Sequence, residues 1–113
     1  MREEGKPPRA HEAFVTRFPE LGRAWDLARK AGQGGPIDEK AVHLVKLGVA
    51  FGALREGAVH SSVRKALAAG VSADEIHQVI ALCATTIGFP AAVAVYTWVV
   101  DLLPRGRRRP RTR

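Results

Sequence analysis

Glu56, His60 and Arg64 follow one another at intervals of four residues, so on a helix the three share one face. A carboxylate one turn before an imidazole can orient it as a general acid/base, and a guanidinium one turn after it can bind the carboxylate of a substrate. His43, in the apolar stretch upstream, is a second catalytic candidate, and Ser62, between His60 and Arg64, is a substrate-binding one. A plainer role is open to each. Glu, His and Arg at this spacing also suit a solvated helix face or a subunit-interface salt bridge, and a histidine in an apolar helix suits a hydrogen-bonded place in the core. Ser61 and Ser62 are not nucleophiles without a placed base. His11 and His77 read as surface residues, no His or Cys spacing makes a metal site, and no cofactor is expected. Cys83 is the single cysteine, which excludes an intramolecular disulfide. Its place in an apolar stripe makes it a small hydrophobe with a raised pKa before it makes it a one-cysteine peroxidase.

Helices must hold these side chains, and the punctuation for helices is clear. His11 to Phe18 can form a short helix, and Pro19 can open a second that runs to Ala31 and closes at Gly32. Phe14, Phe18, Leu21, Trp25 and Ala28 are spaced to pack on the domain body. After the Gln33-Gly34-Gly35-Pro36 turn, Asp38 suits the N-cap or first turn of a long helix ending near Leu54. A helix from Glu56 to Ala69 buries Val59, Val63, Ala66 and Leu67, with Gly70 as a left-handed stop. Ser72 and Glu75 form a capping box for a helix carrying Ile76, Val79, Ile80 and Cys83 on one stripe. The last helix, Pro90 to Leu103, is apolar on nearly every side and ends at Pro104. It fits a subunit interface through Tyr96, Trp98 and Val99, or a central core position. No β-type alternation competes, so the expected class is all-α with five to six helices.

Composition narrows the partners. A chain of 113 residues that is 46% hydrophobic is one domain, small enough to gain from homo-oligomer formation. Six arginines in the last nine residues account for most of the formal net charge of +7 and leave about +1 for the rest. The expected layout is a flexible terminus over 1–9, a helical domain over 10–104 and a basic, disordered tail over 105–113. Such a tail contacts nucleic acid or another polyanion only through phosphate charge, without reading sequence. No apolar leader opens the chain, so the cytoplasm is expected. Val79 to Val100 lacks charge and nearly matches a membrane span in length, but Gly88-Phe89-Pro90 splits it into two short helices, so no membrane partner is expected.

Three fragments in this order resemble one superfamily: Gly35-Pro36-Ile37-Asp38-Glu39-Lys40, then Arg64-Lys65-Ala66-Leu67-Ala68-Ala69-Gly70-Val71-Ser72-Ala73-Asp74-Glu75-Ile76, then Gly88-Phe89-Pro90-Ala91-Ala92. Over roughly 35–103 the chain is similar to carboxymuconolactone decarboxylases and alkylhydroperoxidase D. The resemblance implies an AhpD-like helical domain built around an antiparallel helical hairpin and assembled as a homo-trimer or homo-hexamer. In relatives resembling the peroxidase, two cysteines three apart open the helix that ends in Arg-x-Ala-Leu. A histidine four residues after the second cysteine and a glutamate in the preceding helix relay protons. Aligned through Arg64, those positions hold Arg55, Ala58, Ser62 and His43, so a two-cysteine cycle is not available. Relatives resembling the decarboxylase carry an acid-base histidine near position 62, where this chain has Ser62, with His60 two residues earlier and roughly 200° around the helix.

The expected function is therefore acid/base chemistry on a small carboxylated or lactone-type molecule. It would use His60, Glu56 and His43, with Arg64 and Ser62 binding substrate. The alternatives are a peroxidase-like antioxidant relative with a degenerate redox site, and a non-catalytic oligomeric accessory protein.

Overall fold

The computed structural model describes residues 9–104, and the expectations for a flexible leading segment and an arginine-rich tail lie outside them. The described residues form six helices and no strand. They fall into two compact units, one ending at Asp38 and the other beginning at Glu39.

The first unit holds α1 (Arg9–Arg17) and α2 (Pro19–Ala31). Pro19 occupies the first turn of α2, where its missing N–H costs nothing, and Arg29 and Lys30 sit in the last turn near the partial negative charge of the helix end. The two helices meet closely at Gly22, where an added Cβ would stand 3.2 Å from the Cβ of Val15. Phe14 and Phe18 pair at 5.1 Å between ring centroids, and the Arg17 guanidinium lies 5.6 Å from the Phe18 ring. No residue of either helix is buried. Phe14, Phe18, Leu21 and Trp25, expected to pack, are each about half exposed, so α1 and α2 make no core of their own.

The second unit is a ring of four helices: α3 (Glu39–Ala53), α4 (Glu56–Ala68), α5 (Ala73–Ile87) and α6 (Phe89–Val100). α3 packs against α4 and α5, and α6 packs against the same two. The core lies inside the ring, where Leu47, Phe51, Val59, Val63, Ile76, Val95 and Val99 are fully buried.

Each junction has a local cause. Gly70 takes φ 95°, a conformation glycine reaches without strain. Its N–H bonds the Leu67 carbonyl at 3.1 Å, while that of Val71 bonds Ala66 at 3.0 Å. This is the paired closure that ends a helix at a left-handed residue, and Val71 is buried beneath it. The Ser72 hydroxyl accepts from the Glu75 N–H at 3.0 Å, and the Ser72 N–H donates to Glu75 Oε1 at 2.9 Å, so the expected capping box opens α5. Gly88, at φ 94°, separates α5 from α6, and Pro90 falls in the first turn of α6.

Two expectations about α6 need correcting. It ends at Val100 instead of Leu103, because its last turn tightens into bonds from Leu102 to Val99 and from Leu103 to Val100 ahead of Pro104. Val99, put forward as an interface contact, is completely buried inside its own chain. Tyr96 and Trp98 differ from it: Trp98 is partly buried against the core, and Tyr96 is 44% exposed beside the His77 ring, 5.9 Å away. Among the described residues no helix is long and apolar enough to cross a membrane.

Candidate functional site

The first turns of α4 carry the acid/base candidates. The chain enters through Leu54, a non-glycine residue at φ 54°, and an extended Arg55 that caps the helix without a side-chain hydrogen bond. Glu56 then stands in the first turn, where a carboxylate is favoured by the exposed amides. Val59, Val63 and Ala66 point into the core and fix the rotation of α4. That rotation leaves His60, Ser61, Ser62 and Arg64 half-buried on its flanks.

Glu56 Oε2 lies 3.6 Å from His60 Nε2. This is too long for a hydrogen bond and close enough for a charge interaction when the ring is protonated. The His60 side chain is 34% exposed and that of Glu56 57%, so the pair is open to solvent on one side. Arg64 continues the same face one turn on, and among the described residues it has no ion-pair or hydrogen-bond partner. A half-buried guanidinium without a carboxylate is a site an anion can take.

His43 is on the neighbouring helix. It sits on α3 with its Nε2 3.9 Å from Glu39 Oε2, and among the described residues no hydrogen bond or ion pair joins it to Glu56, His60 or Arg64. Ser62 likewise has no described partner. The four positions that carry the redox set in peroxidase-like relatives hold no thiol, and Ala58 and Arg55 are exposed. Cys83 lies on α5, where burial pushes its pKa up and disfavours the thiolate. Among the described residues no group of three or more His, Cys, Asp or Glu side chains could hold a metal.

A groove of about 560 Å³ lies elsewhere, between α3 and α5, with Leu44, Gly48, Gly52, Val79, Cys83 and Ile87 among its lining. None of the five candidate residues lines it. At one end Glu75 pairs with Lys40, Oε2 to Nζ 2.7 Å, which ties the start of α3 to the start of α5 and holds the carboxyl below its usual pKa. The readable signal was the Gly48 and Gly52 pair, one turn apart in the apolar run Leu47–Ala53 that ends α3.

The described residues thus form an all-helical ring with a carboxylate–imidazole pair, Glu56 and His60, at the entry of its second helix and no thiol there. The chain belongs to the carboxymuconolactone decarboxylase family, whose model matches residues 19–101. No curated protein and no solved structure matches the chain.

Proposed function

We propose that the protein performs acid/base chemistry on a small carboxylated or lactone-type molecule, as a cytoplasmic homo-oligomer, at the Glu56–His60–Arg64 face of α4. The observation that carries this reading is Arg64, without an ion-pair or hydrogen-bond partner among the described residues, one turn beyond a Glu56–His60 pair 3.6 Å apart. Arg64 binds the substrate carboxylate, and His60 takes a proton from a carbon or oxygen of the substrate and returns it to the product. Glu56 orients the ring and stabilises its protonated form during the transfer. Ser62 is a further substrate contact. His43 belongs to this chemistry only if a substrate or a second copy spans from α3 to α4.

The test is a screen of small carboxylic acids and lactones for a rise in melting temperature, followed by turnover with each stabilising compound. Arg64→Ala is expected to abolish the stabilisation, while His60→Ala keeps binding and loses turnover. If His60→Ala changes neither binding nor any turnover detected, the reading is wrong.

A second reading, a non-catalytic oligomeric accessory protein, draws on a specific observation: the Glu56–His60 pair is open to solvent on one side and does not line the groove between α3 and α5. Under it no compound in the screen is turned over. The third alternative, a peroxidase relative with a degenerate redox site, would have to work through Cys83 alone.

A further inference from the structure

The groove between α3 and α5 lies outside the acid/base reading and asks for its own explanation. Its volume of about 560 Å³ falls within the range of small-molecule sites. Its floor is made by the absence of two side chains: a Cβ built on Gly48 or on Gly52 meets no atom within 4 Å. Glycine weakens a helix interior, so a side chain at either position would favour α3 and fill the groove at once. The open space is therefore not forced by crowding. The walls are apolar, with Leu44, Val79 and Ile87 and the thiol of Cys83, whose partial burial raises its pKa.

The polar end sets the charge of an occupant. Glu75 is the only ionisable carboxylate among the lining residues, and both its oxygens are engaged, one by Lys40 at 2.7 Å and one by the Ser72 N–H at 2.9 Å. An incoming carboxylate would meet this like charge and find the nearby ammonium already taken; an incoming ammonium would have to displace Lys40. Gln78, at the same end, offers an uncharged amide that donates and accepts.

We propose that this groove binds one neutral, predominantly apolar small molecule per chain. Its hydrocarbon body lies over Gly48 and Gly52, and a hydroxyl or carbonyl, where it has one, turns to Gln78. This ligand class differs from the carboxylated one assigned to α4, and the two sites fail or stand independently.

The test uses the full chain and Nile red, a neutral apolar dye whose emission rises on leaving water. Expected is saturable binding of one dye per chain, displaced by decanol and at least tenfold less well by decanoate of the same chain length. At dye saturation the reaction of Cys83, the single thiol, with N-ethylmaleimide should slow at least fivefold. Gly48→Leu should keep the helical spectrum and melt no lower than the wild type, yet bind dye at least tenfold more weakly. Gly52→Leu gives the same reading should Gly48→Leu not fold, and Gly57→Ala, at an uncrowded position on α4, should leave binding unchanged. The proposal is overturned by unchanged dye binding in the leucine variants, by decanoate competing as well as decanol, or by unprotected Cys83. It is equally overturned if sedimentation shows an oligomer that Gly48→Leu dissociates, since a second copy would then be the occupant.

Discussion

Ser72→Ala removes one atom that matters, the hydroxyl oxygen accepting from the Glu75 N–H at 3.0 Å. The first amides of α5 have no partner within the helix, and Ser72 satisfies the one at the third position. Losing a serine cap costs about 1 kcal/mol, in a range of about 0.5–2 kcal/mol, and for a domain of this size that lowers the melting temperature by about 4–8 °C. The effect should not be local. α5 brings Ile76 and Ile80 into the core, so a frayed start exposes the Ile76 site and loosens the Glu75–Lys40 tie between α5 and α3. The side-chain series separates the cap from other causes: Asp at 72 should match Ser, Gly should lose a few tenths of a kcal/mol, and Ala should lose most. Gly is the worse helix former, so a helix-propensity effect would rank Gly below Ala. Urea titrations followed by circular dichroism measure the order. Ala within about 0.3 kcal/mol of wild type, or Ala above Gly, would refute the reasoning.

Glu75 predicts a pH dependence with a fixed sign. The Lys40 ammonium and the Ser72 N–H hold its folded-state pKa below the usual value, so its contribution is complete above the ordinary glutamate range and is lost as pH falls through the lowered value. Wild type should therefore lose more stability than Glu75→Gln when the pH is taken from about 6 to about 3; equal losses would show that the pairing is not maintained in solution. Cys83 should react with N-ethylmaleimide more slowly than free cysteine at neutral pH and gain rate only well into the alkaline range, since burial disfavours its thiolate. A rate equal to that of free cysteine would contradict its placement.

Wherever a backbone rule acts alone, the fold was legible in the sequence. Pro19, Gly70, the Ser72–Glu75 box and Gly88 with Pro90 each ended or opened a helix at or beside the residue expected, because capping and left-handed stops depend on a few neighbouring residues. Where tertiary packing decides, the sequence was less informative. α6 is apolar on every side, and its pattern could not tell that Val99 faces the core while Val93 and Tyr96 stay half-exposed. Of the candidate site, the spacing of Glu56 and His60 was readable because it is set within one helix, and the structure keeps the two together. Whether His43 joined them depended on how α3 is rotated, which no spacing within α4 determines, and His43 turns to Glu39 on its own helix.

The chemistry left to this chain follows from where its thiol went. In a relative with two cysteines at the start of the second ring helix, the helix amides lower a thiolate pKa and a neighbouring base moves the proton. Here the same turn carries Arg55 and Ala58, while the one cysteine sits on α5 against an apolar groove that raises its pKa. Helix-end electrostatics and nucleophile have been separated, so the entry of α4 retains its attraction for negative charge but has no sulfur to activate. What that attraction can still serve is the carboxylate of Glu56 in the first turn, with His60 and Arg64 one and two turns further along the same face. The acid/base chemistry we propose draws on those three side chains, and disulfide exchange can use none of them.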